Sequence, residues 1–275
     1  DGFEVGTATD VNTNGSTYYY LAFEADSAIL ETGTYTGNGL DNRNITTTNT
    51  PIILFVGQGE NPGFNMQGAA YRTSTITGDN SFRVDSALGL GANLIQSLGA
   101  GSFQVGTDTY VNQDTIAYYW FSFAANADQV SVGSYLGNNT DDRDIVTSPA
   151  ISPIWALTKR HASNNPNLAC TRWGTAMTSG AVLGSGFTDD TIQAFNTNGF
   201  QVGTLGQVNV DDGIGANTYY YFTVAGASAP ATVPTLSTLP SAAVAAMPFM
   251  PFSPYHIYKG IRALTETLYN ARLGP

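Results

Sequence analysis

Apolar positions along this chain gather in short runs rather than in helical stripes. "TYYYLAF" (17–23), "IAYYWFSF" (116–123) and "NTYYYFTV" (217–224) are rich in aromatic and β-branched residues and are bounded by Asn, Gly and Asp, which predicts strands. Alternate residues of each run are expected to face a core, and the rest to line a sheet face. "PIILFVGQ" (51–58) and "ISPIWALTK" (151–159) are unbroken apolar runs, which fits strands buried between two layers. "NLIQSL" (93–98) and "TIQAF" (191–195) read equally as a strand or as one helical turn. Strand signals recur about every ten residues, a spacing that points to antiparallel β-sandwiches rather than alternating βα units. One stretch differs. Ser253-Pro254 is a good helix start, and Ile257, Ile261, Leu264 and Leu268 then fall on one face.

The runs belong to a repeat. "GFEVGT" (2–7) returns as "SFQVGT" (102–107) and "GFQVGT" (199–204), each followed by "VN" and then by a tyrosine run. "GTYTGNGLDNRNI" (33–45) returns as "GSYLGNNTDDRDI" (133–145). Such periodicity marks a duplicated structural unit. Two whole units fit, 28–127 and 128–227, and residues 1–27 are left as the final hairpin of a partial unit. A lone hairpin is marginal in water, so it is expected to pair with a neighbour. Residues 228–275 begin as a Pro/Ala-rich linker, read as extended, and end in a docking helix. Phe249, Phe252, Ile257, Ile261, Leu264 and Leu268 are the candidate assembly arm. The chain starts inside a repeat without an initiator Met or a leader, which reads as a processed or partial N-terminus.

Composition narrows the function. Of 275 residues, 42% are hydrophobic and 12% aromatic, enough for real cores. Only 11% are charged, against roughly 25% in an average soluble protein. The net charge of −11 argues against a nucleic-acid partner and against an acidic membrane surface. No apolar run is long enough to predict a membrane-spanning helix. The single cysteine, Cys170, reads as a small buried hydrophobe.

Candidate chemistry is thin. His161 and His256 are the only histidines, and neither has a neighbour at metal-ligand spacing. The five glutamates are scattered, and the adjacent pairs Asp189–Asp190 and Asp211–Asp212 would point to opposite faces of a strand. These features point away from an enzyme. "DNRN" (41–44) and "DDRD" (141–144) recur at one place in both units. Asp41, Asp141, Asp142 and Asp144 are candidate calcium ligands. The central Arg43 and Arg143 oppose a second cation, so an Arg–Asp clamp is the preferred reading. Tyr18, Tyr20, Tyr118, Trp120, Tyr219 and Tyr221 are candidate contacts for a glycan or a protein partner.

Taken in order, Tyr35–Gly39, Phe3–Thr7, Phe103–Thr107 and Tyr118–Phe123 resemble a repeat of tailed-phage virion proteins and related bacterial surface proteins. The resemblance covers about residues 1–227. It implies a concanavalin A-like (jelly-roll) sandwich and a structural or host-contact role in a particle, with no catalytic set. The expectation is therefore an all-β protein: two tandem antiparallel sandwiches, an extra N-terminal hairpin and a C-terminal arm. It would serve as an extracellular structural subunit, at a virion or cell surface, with copies of itself or other subunits as partners. The alternative is a carbohydrate-binding or adhesive module that contacts host-surface glycans.

Overall fold

The computed structural model describes residues 2–23, 28–59, 69–84, 86–126, 128–161, 168–174, 177–213 and 217–226. The protein is all-β, with antiparallel sheets and a few single helical turns. The expected linker and docking helix, with Phe249, Phe252, His256, Ile257, Ile261, Leu264 and Leu268, lie outside the described residues.

In the first repeat the strands are β1 (Leu30–Thr36), β2 (Arg43–Thr46), β3 (Pro51–Gln58), β4 (Ala69–Thr73), β5 (Phe82–Arg83), β6 (Ile95–Gly99), β7 (Ser102–Val105) and β8 (Ala117–Ala124). The second repeat carries β9 (Val130–Leu136), β10 (Arg143–Val146), β11 (Pro153–His161), β12 (Cys170–Trp173), β13 (Gly180–Val182), β14 (Gly186–Thr188), β15 (Ile192–Asn196), β16 (Gly199–Val202) and β17 (Thr218–Ala225). Helical turns α1 (Thr9–Asn12), α2 (Thr109–Asn112) and α3 (Gly206–Asn209) fall on the three "VN" landmarks. Both ambiguous segments, at β6 and β15, are strands.

Strand order repeats with the sequence. The first repeat forms a large sheet β1-β8-β3-β4-β5 and a small sheet β2-β7-β6. The second forms β9-β17-β11-β12-β13, extended by β14, and β10-β16-β15. Side chains alternate between faces with period two, and this alternation sorts the cores. On β3, Ile53 and Phe55 join a central core, while Leu54 and Val56 face the small sheet of their own repeat. On β11, Trp155 and Leu157 join that same central core, while Ala156 faces the second small sheet. The two large sheets therefore face each other, and each is backed by its small sheet. Strands covered on both faces need unbroken apolar runs, which accounts for "PIILFVGQ" and "ISPIWALTK".

The central core is aromatic and crosses the repeat boundary. Phe55 meets Trp155 at 6.1 Å and Phe222 at 5.6 Å between ring centroids. Lys159 of β11 is fully buried and donates from Nζ to the carbonyls of Arg83 (2.9 Å) and Ser86 in the first repeat. The imidazole Nδ1 of His161 accepts the Leu90 amide at 3.4 Å, again across the boundary. Within the repeats, Arg72 and Arg172 are buried at matching places on β4 and β12. Arg72 donates to the carbonyls of Ile76 (2.7 Å) and Gly78 (2.9 Å), and Arg172 to those of Met177 (2.7 Å) and Ile192 (3.2 Å). Each guanidinium thus satisfies carbonyls that follow its own strand, in loops and, for Ile192, at the start of β15.

The hairpin expectation is overturned. In both complete repeats the two strands after the hexapeptide landmark lie in different sheets: β7 and β16 sit at the centre of the small sheets, β8 and β17 inside the large ones. The 11-residue link from 106 to 116 crosses between layers instead of turning back in one sheet. Residues 2–23, the third copy, contain no strand, only the turn α1. A strand needs a ladder partner for its backbone groups, and the described residues supply none here.

Candidate interaction surface

The turn between the two strands is the most elaborate local structure in the repeat. In the first complete copy, the Tyr118 hydroxyl accepts from the Gln113 amide (2.8 Å) and donates to the Thr109 carbonyl (2.6 Å). The Tyr219 hydroxyl does the same with the Val210 amide (2.9 Å) and the Gly206 carbonyl (2.7 Å). Each phenol thereby closes its helical turn from below. Burial pushes the Tyr219 phenol up to about 12 and raises that of Tyr118.

Asn112 and Asn209 are buried hubs on these turns. The Asn112 amide nitrogen donates to the carbonyls of Gly106 (3.0 Å) and Leu40 (2.7 Å), and its oxygen accepts from the Asn38 amide (3.0 Å) and Arg43 Nη1 (3.2 Å). Asn209 donates to the Thr140 carbonyl (2.7 Å) and accepts from the Asn138 amide (3.1 Å) and Arg143 Nη1 (3.0 Å). The "VN" was visible in the sequence as a landmark, but nothing in it marked the Asn as a hub. One amide here reads two separate segments of its own repeat.

The motif "G-x-Y-x-G-N" is the receiving edge. Tyr35 stacks on Tyr118 at 5.3 Å with the rings 17° apart, and Tyr135 stacks on Tyr219 at 5.1 Å and 11°. The Tyr35 and Tyr135 hydroxyls donate to the carbonyls of Val111 and Val208, the latter at 2.7 Å. Desolvation raises both phenols well above their ordinary range. Gly33 and Gly133 make room for the next aromatic: a Cβ there would lie 2.5 Å from the Trp120 ring and 2.4 Å from the Tyr221 hydroxyl.

Residues 2–23 carry the same donor piece, with most of its apolar side chains exposed. The local bonds are all made: Asn12 to the Gly6 carbonyl (2.9 Å), the Thr13 amide to the Tyr18 hydroxyl (2.9 Å), and that hydroxyl to the Thr9 carbonyl (2.6 Å). The side chains, however, stand in solvent. Phe3 is 60% exposed, Val5 47%, Val11 44% and Tyr20 70%, and Tyr18 is exposed as well; all ten counterparts in the two complete copies are at 7% or less. Tyr19 meets the Phe187 ring of β14 at 5.4 Å, and the far end is docked. Phe23 packs on Phe123 (5.3 Å) and Trp155 (5.7 Å), and with Leu21 it lines a cleft of about 670 Å³ beside the central core.

Other expected site residues resolve differently. Of the candidate glycan contacts, Tyr18 and Tyr20 are exposed, but Tyr118, Trp120, Tyr219 and Tyr221 are core residues and present no surface. The faces alternate, so the middle tyrosines lie on the opposite face: Tyr119 is exposed, while Tyr220 packs on Phe82 at 5.9 Å beside the central core. The Arg–Asp clamp is also corrected. Arg43 lies over the Tyr35 ring at 5.2 Å and bonds Asn112 and the Thr36 carbonyl, not Asp41. A guanidinium satisfied by an amide and a carbonyl leaves the carboxylates to other donors. Asp41 and Asp141 accept from Gln96 (2.9 Å) and Gln193 (3.0 Å), and Asp144 accepts from Asn196 (2.6 Å). Asp142 holds a left-handed backbone with φ of 53°, as Asn42 does with 56°. Among the described residues, no three of His, Cys, Asp and Glu gather as a metal-holding group. Cys170 is buried, and desolvation pushes its thiol far up. Asp212 pairs with buried Arg160 at 2.6 Å, and Asp190 accepts from the Thr204 hydroxyl at 2.8 Å.

Comparison with protein-family models, with curated proteins and with solved structures finds no match. No helix among the described residues is long and apolar enough to cross a membrane.

Proposed function

We propose that this chain is a non-enzymatic structural subunit of an extracellular assembly, a phage virion component of the head-decoration, capsid-associated or tail-fibre kind. Its two repeats, 28–127 and 128–227, are tandem sandwiches of the concanavalin A-like type. It assembles by strand addition through residues 2–23 and by docking of the C-terminal arm. One observation carries this reading: the first 23 residues expose the apolar set that two other copies of the same sequence bury.

Magnitudes are compatible with a partner. Burying Phe3, Val5, Val11, Tyr18 and Tyr20 at about 1.5–3 kcal/mol each yields on the order of 10 kcal/mol. Association costs about 4–15 kcal/mol in lost freedom and ordering. The turn is already formed, so part of the ordering cost falls away. Added strands would contribute main-chain hydrogen bonds and a side-chain register.

Sedimentation of the purified chain tests the reading. Assembly is expected for the full chain. It is expected to be lost on deleting residues 1–27 or 247–275, and in a Phe3→Ser/Val11→Ser/Tyr20→Ser variant, with the sheets intact by circular dichroism. A full chain that stays monomeric at every concentration up to its solubility limit defeats it.

A further inference from the structure

We propose that the occupant of the 2–23 surface is a half-unit of this same repeat: strands laid out like β1 to β6, carrying a G-x-Y-x-G-N edge followed by an arginine, and open where β7 and β8 would lie. Both described repeats hold their own central strands, so a second copy offers such a half-unit only by releasing them; the inference names the chemistry of the partner and rests on the assembly reading only for its setting.

The inference comes from seating the third donor where the other two already sit. Residues 2–23 align with 102–123 without a gap, and Phe3, Val5, Gly6, Thr7, Thr9, Val11, Asn12, Tyr18, Tyr19 and Phe23 are identical between them. In the complete unit, Phe103 pairs with Ile45 on one side and Leu98 on the other. Trp120 pairs with Gly33 and Val56. Phe3 therefore asks for two aliphatic neighbours in a small sheet, and Tyr20 asks for a glycine and an aliphatic residue in a large one. Asn12 asks for a backbone amide and an arginine, the partners that Asn112 and Asn209 both have. These demands are specific. A flat apolar patch satisfies none of the hydrogen bonds, and a single added strand satisfies only one of the two sheets. A half-unit with both sheets open at the centre satisfies all of them. The turn's internal bonds are already made, so the donor meets its acceptor preformed.

The test supplies that half-unit in its natural register. A second copy of residues 28–100 is fused ahead of Asp1 in the full chain, and Val11→Cys is introduced as a reporter; Cys170 is buried and serves as the slow internal reference. Thiol labelling is followed at high dilution. The Val11→Cys thiol is expected to react at least about a hundredfold more slowly in the extended chain, because a buried site is reached only through local opening. Gly33→Val in the added copy alone is expected to restore fast labelling, since the side chain would fill the space for Tyr20. Two results overturn the inference: labelling that stays fast in the extended chain, whether or not the added copy orders, and slow labelling that survives the Gly33→Val change. Concentration-dependent labelling of the unextended chain reports assembly instead. The two proposals thus fail separately.

Discussion

The ring of Phe55 stands at 85° to that of Phe222, with 5.6 Å between centroids, and the two residues come from different repeats. Trp155 closes the group, meeting Phe222 at 4.6 Å and 82°. Edge-to-face contacts of this kind add about 0.5–1.5 kcal/mol each to the area they bury. The large sheets are thus held by a core that belongs to neither repeat alone. One cooperative unfolding transition is expected for residues 1–228, not two. Phe222→Ala should lower stability by about 3–5 kcal/mol and shift probes in both repeats together. Denaturation followed by hydrogen exchange on β3 and β11 checks this; separate midpoints for the two strands would contradict it.

Asn12, Asn112 and Asn209 share a motif and a helical turn but not an environment. Asn112→Ala removes four hydrogen bonds at once and leaves the buried Gly106 carbonyl without this donor. Each buried polar group left unsatisfied costs about 1–3 kcal/mol. Asn209→Ala should cost a similar amount. Asn12→Ala removes one exposed local bond and should stay within about 0.5 kcal/mol of the parent chain. Equal losses at all three positions in thermal melts would mean that residues 2–23 are already seated against a partner.

Much of this arrangement was legible in the sequence, and the failures have causes. β3 and β11 announced themselves as buried because both of their faces are apolar. That same property hid which layer each face meets, since Ile53 and Leu54 look alike but enter different cores. The hairpin expectation fails because consecutive strands pair or neighbour only about two-thirds of the time. The link through α2 contains a buried helical turn, and its Asn looks like ordinary loop sequence. Nothing local shows that Tyr118 and Trp120 turn inward, because the period-two pattern has no absolute phase until one face is known to be buried. Their partners Tyr35 and Gly33 lie more than 80 residues away, beyond any local pattern.

Gly33 and Gly133 should tolerate no side chain. A Cβ at either would sit inside an aromatic neighbour's van der Waals radius, and the ring would have to leave its place between two sheets. Overpacking of this kind costs about 1–3 kcal/mol, occasionally more. Gly133→Ala should therefore destabilise the protein, and the added change Tyr221→Leu should be less costly than in the parent chain, because the Tyr221 hydroxyl, Cζ and Cε1 would lie 2.4, 2.6 and 2.8 Å from the new carbon. A double-mutant cycle in urea measures the coupling; additive losses would show that the Tyr221 ring is not the obstruction.

Lys159 should prove to be a clasp between repeats. Its ammonium serves the carbonyls of Arg83 and Ser86 from a fully buried position. Lys159→Met keeps the stem but leaves those acceptors without this donor, at a cost of about 1–3 kcal/mol. The loss should appear as faster hydrogen exchange around residues 82–84, while β12 and β13 stay protected. Loosening confined to the second repeat would refute the assignment.

Alkali should unfold this protein in one step that carries its buried phenols with it. Tyr71, Tyr118, Tyr135, Tyr219 and Tyr221 are buried, and burial raises every one of them. A phenol in the unfolded chain gives up its proton near pH 10, whereas Tyr219 holds its own to about 12. Below pH 10 both states keep the proton and the contribution to stability is whole. Between those values the unfolded state binds fewer protons than the folded one, so stability falls as pH rises, by up to about 1.4 kcal/mol per pH unit for each such tyrosine. Absorbance of the phenolate and far-ultraviolet circular dichroism should therefore change together above pH 10, and Tyr219→Phe should push the common midpoint upward only if the hydroxyl's bonds to Val210 and Gly206 are worth less than the ionisation they resist. Phenolate absorbance from the buried set that rises near pH 10 with the β signal unchanged would show that these rings are open to water.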